Sequence, residues 1–231
     1  MTENNNVFNL QTVMEDAKKV ILNPVGFYKE MPQSGGFANP LIFVLVMAAI
    51  TGLILAIYSL FGSELGGFGF SLIVIFPIVG VIGSFIGAAI IFVIWKLMGS
   101  EKDYEVAYRC AAYSFAIAPI VVFISFIPYL AGIIKTLWSA FLMYVASKEV
   151  HGIKEKTAMI VFGVLAVIGV LWGASGEKKA REYTAKAEKF QKEFNLEKLE
   201  NMTPEELGEN AGKFLEGLNR ALEEVNKNKE Q

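Results

Sequence analysis

Residues 40–61 read PLIFVLVMAAITGLILAIYSLF, a run of 22 residues without a charged side chain. A helix of this length spans roughly 33 Å, against about 30 Å for the hydrocarbon core of a bilayer. Four further apolar blocks follow before residue 175. Because a chain in lipid must satisfy its backbone polar groups within each segment, the sequence predicts an all-α polytopic membrane helix bundle with five transmembrane helices.

The five predicted spans differ in length and regularity. They cover residues 40–61, 70–97, 104–127, 128–147 and 157–174. The second span would be roughly 42 Å long, so we expect it to tilt, to kink at Pro77 or to emerge from the membrane. Pro119 lies near the middle of the third span, and the third and fourth spans follow each other so closely that they predict a tight hairpin.

An N-terminal segment, residues 1–39, precedes this 40–175 domain. Apolar residues recur at helical spacing between residues 7 and 22, with charged residues on the other side, which predicts an amphipathic helix. Asn23 and Pro24 break the pattern, and Pro24 is expected to begin a second short helix. We expect both helices to lie in the cytoplasmic membrane interface, and we expect no cleaved signal peptide.

A charged amphipathic tail, residues 176–231, follows the last span. Its apolar residues repeat at spacings of three and four, in two helices separated near a capping box at Thr203. The seam residues are Tyr183, Phe190, Phe194, Leu207, Phe214 and Leu218. Two short helices bury little surface alone, so the tail is predicted to pack on the membrane, on a second copy of the chain or on another protein.

Composition excludes several classes of function. The net charge is −2 with mixed signs, so the chain offers no basic face for nucleic acid. A single cysteine, Cys110, and a single histidine leave almost no ligands for a soft metal, and no cofactor is expected. We find no HExxH, GxSxG or Walker A motif and no acidic residue deep in a span, so the chain is expected not to be an enzyme.

Two glycines of the second span, Gly83 and Gly87, form a GxxxG pair on one helix face. Small residues at this spacing allow two helix backbones to approach closely. The pair therefore indicates either packing inside one bundle or a contact between two copies of the chain.

Lys135 is the one charged residue placed inside the fourth span. A lysine at this depth is costly unless its long side chain reaches the interface or finds a polar partner. Tyr113 and Ser114, beside Pro119 on the third span, are candidate partners, as is Ser125. Two other polar residues are expected at the membrane surface, Arg109 as an interface anchor and His151 as a solvated histidine.

The basic residues near the ends of the spans are unevenly distributed. They precede the first span and surround the loops between the second and third and between the fourth and fifth spans. The two other loops have none. The positive-inside rule therefore predicts a cytoplasmic N-terminus, and five spans would place the tail outside the cytosol. A re-entrant block would give an even number of spans and reverse the position of the tail.

Several local motifs resemble the Yip1 domain family over about residues 20–175. They are Asn23-Pro24-x-x-Phe27-Tyr28-x-x-Met31-Pro32, Ala112-Tyr113-Ser114-x-Ala116-x-Ala118-Pro119, Trp138 and Gly152-x-Lys154-x-Lys156-Thr157-Ala158. The resemblance implies a five-helix membrane domain with a cytoplasmic N-terminus. Eukaryotic members of the family are associated with Rab GTPases and vesicle traffic. The long tail and the short N-terminal region favour a bacterial or archaeal cell-membrane protein.

Two hypotheses about function remain open at this point. The first is a non-enzymatic membrane scaffold or adaptor that acts in membrane organisation or trafficking, binds membrane lipids and assembles through the tail. The second is a small channel or transporter with a cavity near Lys135, between the kinked second and third spans. A continuous polar cavity that reaches Lys135 would favour transport, whereas a solid apolar bundle would favour the scaffold.

Overall fold

The computed structural model describes residues 9–61 and 69–193, together with positions 208, 212 and 216. Every regular element in these ranges is helical. The helices are α1 Leu10–Leu22, α2 Pro24–Glu30, α3 Ala38–Ser59, α4 Leu72–Leu97, α5 Tyr104–Tyr113, α6 Ala118–Phe123, α7 Leu130–Glu149 and α8 Glu155–Glu193. The chain divides into two compact units, residues 1–178 and residues 179–231.

Five helical segments of the described chain are long and apolar enough to cross a membrane. They are Ala38–Ser59, Gly69–Leu97, Tyr104–Phe123, Leu130–Glu149 and Glu155–Lys186. The predicted all-α membrane bundle with five spans is therefore confirmed. The position of α1 and α2 relative to a membrane stays a prediction.

The two N-terminal helices begin where the sequence predicts. The side chain of Asn9 caps α1 by accepting a hydrogen bond from the amide of Gln11. The side chain of Asn23 caps α2 in the same way through Gly26, and Pro24 occupies the first turn, where its missing N–H costs nothing. The Asn23 cap therefore pairs a backbone amide at the corner between the two helices.

Close contact between α3 and α4 depends on two glycines, Gly52 and Gly80. A Cβ atom added at Gly52 would lie 2.5 Å from the carbonyl oxygen of Leu72, and one added at Gly80 would lie 3.0 Å from Cβ of Ala48. At Gly52 any side chain would meet the backbone of α4, and at Gly80 it would push against Ala48.

The third span is not the single kinked helix over residues 104–127 that we predicted. It consists of α5, a 3-10 turn at Ser114–Ile117 and α6. Pro119 lies in the first turn of α6, because proline has no N–H to continue an α-helical ladder from the preceding turn. The hydroxyl of Ser114 donates to the carbonyl of Ala111, which also favours a local change of helix geometry.

The helix that contains the fifth predicted span, residues 157–174, continues without a break to Glu193 in α8. Its 39 residues exceed the roughly 20 residues that a bilayer requires. Gly173 and Gly176 each cost about 1 kcal/mol in a helix, but no proline interrupts the segment, and the alanines and charged residues that follow favour helix. The first tail helix is therefore the end of α8.

The loops and the N-terminal helices meet at one end of the membrane domain. Ser100, between α4 and α5, lies 2.7 Å from the ring of His151, between α7 and α8. Lys29 of α2 lies 3.7 Å from Glu149 at the end of α7. At the other end, the amide of Tyr129 donates to the carboxylate of Glu177. The basic loops and the N-terminal helices therefore share one end of the bundle.

Candidate functional site

The N-terminal helices pack on the membrane domain through a continuous apolar face. Val13, Ala17 and Val20 of α1 are buried, as are Phe27 and Tyr28 of α2. These side chains belong to the main core cluster, together with residues of α3, α5 and α7. The N-terminal segment is thus part of the packed bundle rather than a separate surface element.

Tyr28 fixes α2 to the third span at the centre of this contact. Its hydroxyl donates a buried hydrogen bond of 3.0 Å to the backbone carbonyl of Cys110. The neighbouring ring of Phe27 packs edge to face on Tyr113, with 4.8 Å between ring centroids. Together, the hydrogen bond and the ring contact hold α2 in a fixed position against α5.

Arg109 fixes the connection between α2 and α3. Only 2% of its surface is exposed, and its guanidinium donates to the carbonyl of Gly36 at 2.6 Å and to the carboxylate of Glu105 at 3.2 Å. The amide of Gly36 donates to the same carboxylate at 2.8 Å. The prediction that Arg109 is an interface anchor was therefore wrong, because the side chain turns inward to pair with a loop far away in sequence.

Two neighbouring cavities lie between the N-terminal segment and the bundle, and we call them the polar cavities. The first, of about 310 Å³, is lined by Asp16, Lys19, Asn23, Gly26, Phe27, Glu30, Met31, Pro32 and Tyr113. The second, of about 420 Å³, is lined by Asn9, Thr12, Val13, Asp16, Pro32, Ser34, Gly35, Asn39, Ile42, Phe43, Arg109 and Tyr113. Asp16, Pro32 and Tyr113 line both, so these residues mark the boundary between the two spaces.

Asp16 and Tyr113 are the polar groups that this boundary leaves without hydrogen bonds. Burial raises the pKa of Asp16, Lys19 lowers it in part, and Glu15 raises it further. Tyr113 is 5% exposed and lines both cavities, and no hydrogen bond of its hydroxyl is found among the described residues. A polar group that faces a cavity without a protein partner can bond to water or to a ligand.

An apolar groove runs along α1 beside these cavities. It has a volume of about 430 Å³ and is lined by Gln11, Met14, Glu15, Ala17, Lys18, Ile21, Met47, Ile50, Ala116, Pro119 and Ile120. Pro119 therefore faces a groove under α1. Neither the groove nor the polar cavities are lined by Lys135 or Pro77.

His151 lies in a buried polar cluster and is not the solvated histidine that we predicted. It is 7% exposed, and its Nδ1 atom lies 2.7 Å from the hydroxyl of Ser100. Its ring stacks on Trp95, whose indole donates to the hydroxyl of Ser147. Burial, with Lys102 and Lys96 adding to it, lowers the pKa of His151 to about 4. The imidazole is therefore neutral at neutral pH.

The predicted polar group around Lys135 is not brought together. Lys135 is exposed on α7 and, within the described residues, forms no hydrogen bond or ion pair with Tyr113, Ser114 or Ser125. The hydroxyls of Ser114 and Ser125 instead donate to carbonyls three residues earlier in their own segments. The exposed position fits a side chain that extends along the bundle surface toward the interface.

Gly83 and Gly87 make no close helix contact with the part of the chain that the structure describes. A Cβ atom at either position would meet no atom of the described residues within 4 Å. The interpretation of the GxxxG pair as close packing inside one bundle is therefore not supported. The contact between two copies of the chain stays a prediction.

The tail seam lies mostly outside the described residues. Tyr183, on α8, is 70% exposed. Phe190 lies within α8, and Phe194, Leu207, Phe214 and Leu218 fall outside the described ranges. Assembly through the seam stays a prediction.

The sequence analysis missed Asp16 as a site residue, although the sequence contains a signal for it. Asp16 is three residues after Val13 and four before Val20, so it lies beside the buried stripe of α1 rather than opposite it. The described residues hold no group of three or more His, Cys, Asp or Glu side chains placed to bind a metal ion.

Comparison with known proteins agrees with the resemblance found in the motifs. The family model described as Yip1 domain matches residues 18–175, from the middle of α1 into α8. No curated protein and no solved structure matches the chain. The match covers more than half of the chain, with the first four spans and most of the fifth, so the chain belongs to the Yip1 domain family.

Proposed function

We propose that this protein is a non-enzymatic membrane scaffold or adaptor that acts in membrane organisation or trafficking. One observation carries the proposal: none of the three cavities described above is lined by a residue of α7 or α8. A channel or transporter would need a polar path along the spans, and the cavities instead lie around α1 and α2. Membership of the Yip1 domain family supports the proposal, since it places the chain among membrane proteins.

The outer face of α4 is the surface on which such a scaffold would act, and α8 exposes a comparable apolar face to lipid. Large apolar side chains are exposed along both helices. They are Val74, Ile78, Val79, Ile82, Ile86, Ile90 and Val93 on α4, and Met159, Ile160, Val164, Val167, Ile168 and Leu171 on α8. Within a membrane these faces would contact lipid tails or the helices of a partner. Gly83 and Gly87 lie on the α4 face, which would allow a partner helix to approach closely.

The experiment that tests the proposal compares partner contact with transport. A photo-crosslinking amino acid is placed at Ile86 on α4 and, as a matched control on another exposed apolar face, at Val164 on α8. A protein adduct of one defined mass at Ile86 in intact cells is expected, with lipid adducts alone at Val164. In parallel, purified protein in liposomes should not increase the flux of ions or small solutes over empty liposomes. Lipid adducts alone at both positions, or a clear flux, would contradict the scaffold.

We also propose that the tail provides assembly, either with a second copy of the chain or with a partner protein. The exposed ring of Tyr183 and the apolar stripe that continues from it support this role. Apolar surface left in water costs roughly 25 cal/mol per Å², so burial of the seam against another surface is favourable. The membrane lipids, a second copy and another protein are the candidate covers.

The role of the seam in assembly can be tested by introducing negative charges into it. Phe190→Glu combined with Phe214→Glu is expected to shift the solubilised protein to a smaller species or to remove a copurifying partner. Ala185→Glu combined with Asn219→Glu adds the same charge away from the stripe and should leave the assembly intact. An unchanged elution volume and composition for the seam variant would mean that the tail plays no part in assembly.

A further inference from the structure

We propose that the polar cavities bind a primary ammonium group, which the carboxylate of Asp16 and the hydroxyl of Tyr113 hold between α1 and the third span. The side chains of both residues line both cavities, and no hydrogen bond to either is found among the described residues. The inference concerns a ligand site and does not depend on the scaffold role.

Asp16 supplies the negative charge that such a ligand requires. It is half-buried on α1 and forms no ion pair of 4 Å or less among the described residues. Lys19 is near enough to stabilise the carboxylate in part, but burial outweighs this effect and raises the pKa of Asp16. A cation bound in the cavity would supply the missing interaction, because an opposite charge favours the ionised carboxylate.

Tyr113 supplies a hydrogen-bond acceptor at a fixed position. Its ring is held edge to face by Phe27 on one side, at 4.8 Å, and by Phe43 on the other, at 4.9 Å. This packing buries the ring and leaves the phenolic group at the cavity boundary, where the side chain is 5% exposed. An ammonium group has three N–H donors, so it can bond to the carboxylate and to this hydroxyl together.

The charges around the cavities favour an amine over an anion or a metal ion. Arg109 is already bonded to Glu105 and to the carbonyl of Gly36, so its charge is largely compensated. The first cavity then carries Asp16 and Glu30 against Lys19 alone. A metal ion needs several ligands within a small space, whereas these cavities of about 310 and 420 Å³ have room for an organic group.

An ammonium group at this position has two sources. It is either the headgroup amine of a membrane lipid, such as phosphatidylethanolamine, or a free amine that enters from water. Both offer the same N–H donors to Asp16 and Tyr113. A quaternary ammonium, as in phosphatidylcholine, has no N–H donor and should bind less tightly.

Binding is measured on the full chain in two arms. In the first, ethanolamine is titrated into protein in detergent by calorimetry, with sodium chloride at the same ionic strength as the blank. In the second, the protein is mixed with equal amounts of phosphatidylethanolamine and phosphatidylcholine, and native mass spectrometry counts the lipids that stay bound. Ethanolamine binding identifies a free amine as the source. Selective retention of phosphatidylethanolamine without ethanolamine binding identifies the lipid.

Three variants decide whether the proposed residues form the site. Asp16→Asn is expected to weaken the binding found in the wild type at least about tenfold, because a charged partner is lost. Tyr113→Phe keeps the ring packing but removes the hydroxyl, so it should weaken amine binding about threefold to tenfold. Glu15→Gln is the matched control, because it removes the same charge from the neighbouring residue, whose side chain lines the apolar groove instead. This variant should bind the amine as tightly as the wild type does.

The proposal is overturned if neither arm shows binding that prefers a primary amine. It is also overturned if Asp16→Asn binds as tightly as Glu15→Gln. Should Asp16→Asn fail to fold, as judged by circular dichroism and elution volume, Tyr113→Phe decides alone. If Tyr113→Phe then binds the amine with wild-type affinity, the proposed site is refuted.

Discussion

The imidazole of His151 lies nearly flat against the indole of Trp95, with 3.8 Å between ring centroids and 22° between ring planes. Trp95 lies in the last turn of α4 and donates to the hydroxyl of Ser147 on α7, while His151 contacts Ser100 in the loop before α5. The stacked pair therefore joins the ends of α4, α5 and α7. Protonation of His151 would place a positive charge inside this junction.

Acid should destabilise the bundle through His151. The pKa of His151 is lowered from 6.5 to about 4 by burial and by Lys102 and Lys96, so the unfolded chain takes up this proton before the folded chain does. The stability contributed by the neutral imidazole is present above pH 6.5 and is lost as the pH falls toward 4. Between pH 7 and pH 5 the loss should be about 2 kcal/mol, measured as a decrease of the apparent melting temperature in detergent.

Two variants separate His151 from the other titrating groups. His151→Gln should be less stable at pH 7 but should show a flatter pH dependence between pH 7 and pH 5. Lys102→Gln removes one of the charges that lower the pKa and should flatten the curve in part. A wild-type curve that matches that of His151→Gln would show that the histidine does not cause the acid sensitivity.

The buried bond from Tyr28 to the third span should stabilise the attachment of the N-terminal helices. Tyr28→Phe removes the 3.0 Å bond to the carbonyl of Cys110 and should cost about 1 kcal/mol. Limited proteolysis should then cut near α1 and α2 sooner than in the wild type. Tyr58→Phe, which removes an exposed contact of 3.4 Å to the carbonyl of Phe123, is the matched control and should change little. If the two variants lose stability equally, the buried hydrogen bond of Tyr28 does not stabilise the N-terminal helices more than an exposed contact does.

The inward position of Arg109 predicts a large effect of its removal. Arg109→Met leaves the carbonyl of Gly36 without its side-chain donor and Glu105 without its ion pair, which should cost about 2 to 4 kcal/mol. The control is Lys148→Met, which removes the ion pair of Lys148 with Glu155 at the surface. Its melting temperature should change much less, because water screens exposed charges. Similar decreases in both variants would contradict the account of Arg109 as a buried bridge.

Most of the fold follows from local properties of the sequence, and the errors arise where distant residues meet. The lengths of the apolar segments and Pro24 predict the spans and the corner between α1 and α2 correctly, because both act through the backbone nearby. Arg109 and His151 were expected at the surface. Their partners, Gly36 and Trp95, lie 73 and 56 positions away, and no local pattern identifies such pairs.

The polar cavities were harder to predict for the same reason. Asp16 and Tyr113 become neighbours only when α1 packs on the third span, and α1 was expected to lie on the membrane surface. The break in the third span at Ser114–Ile117 is also a consequence of two adjacent effects, the serine bond to Ala111 and Pro119. Each effect alone is compatible with a continuous kinked helix.

Lys135 should be neutral or slightly unfavourable for stability. Its side chain is exposed on α7, and among the described residues it has no partner that its removal would strand. Lys135→Leu removes a charge from the exposed face of a membrane-spanning helix. The melting temperature in detergent should therefore stay the same or rise slightly. Lys135→Ala serves as the control for side-chain packing. A clear decrease with both variants would show that Lys135 takes part in a polar contact.

The common end shared by α2 and the two basic loops predicts a cytoplasmic location for that end and for the N-terminus. Single cysteines at Asn4, Glu64 and Lys229, in a Cys110→Ala background, report the location of each segment. With five spans, Asn4 should be protected from an impermeant thiol reagent in intact cells, while Glu64 and Lys229 should be labelled. The background without added cysteines is the control for non-specific labelling. If Lys229 is labelled only after the membrane is permeabilised, the tail lies on the same side as the N-terminus, and α8 does not cross the membrane as the fifth span.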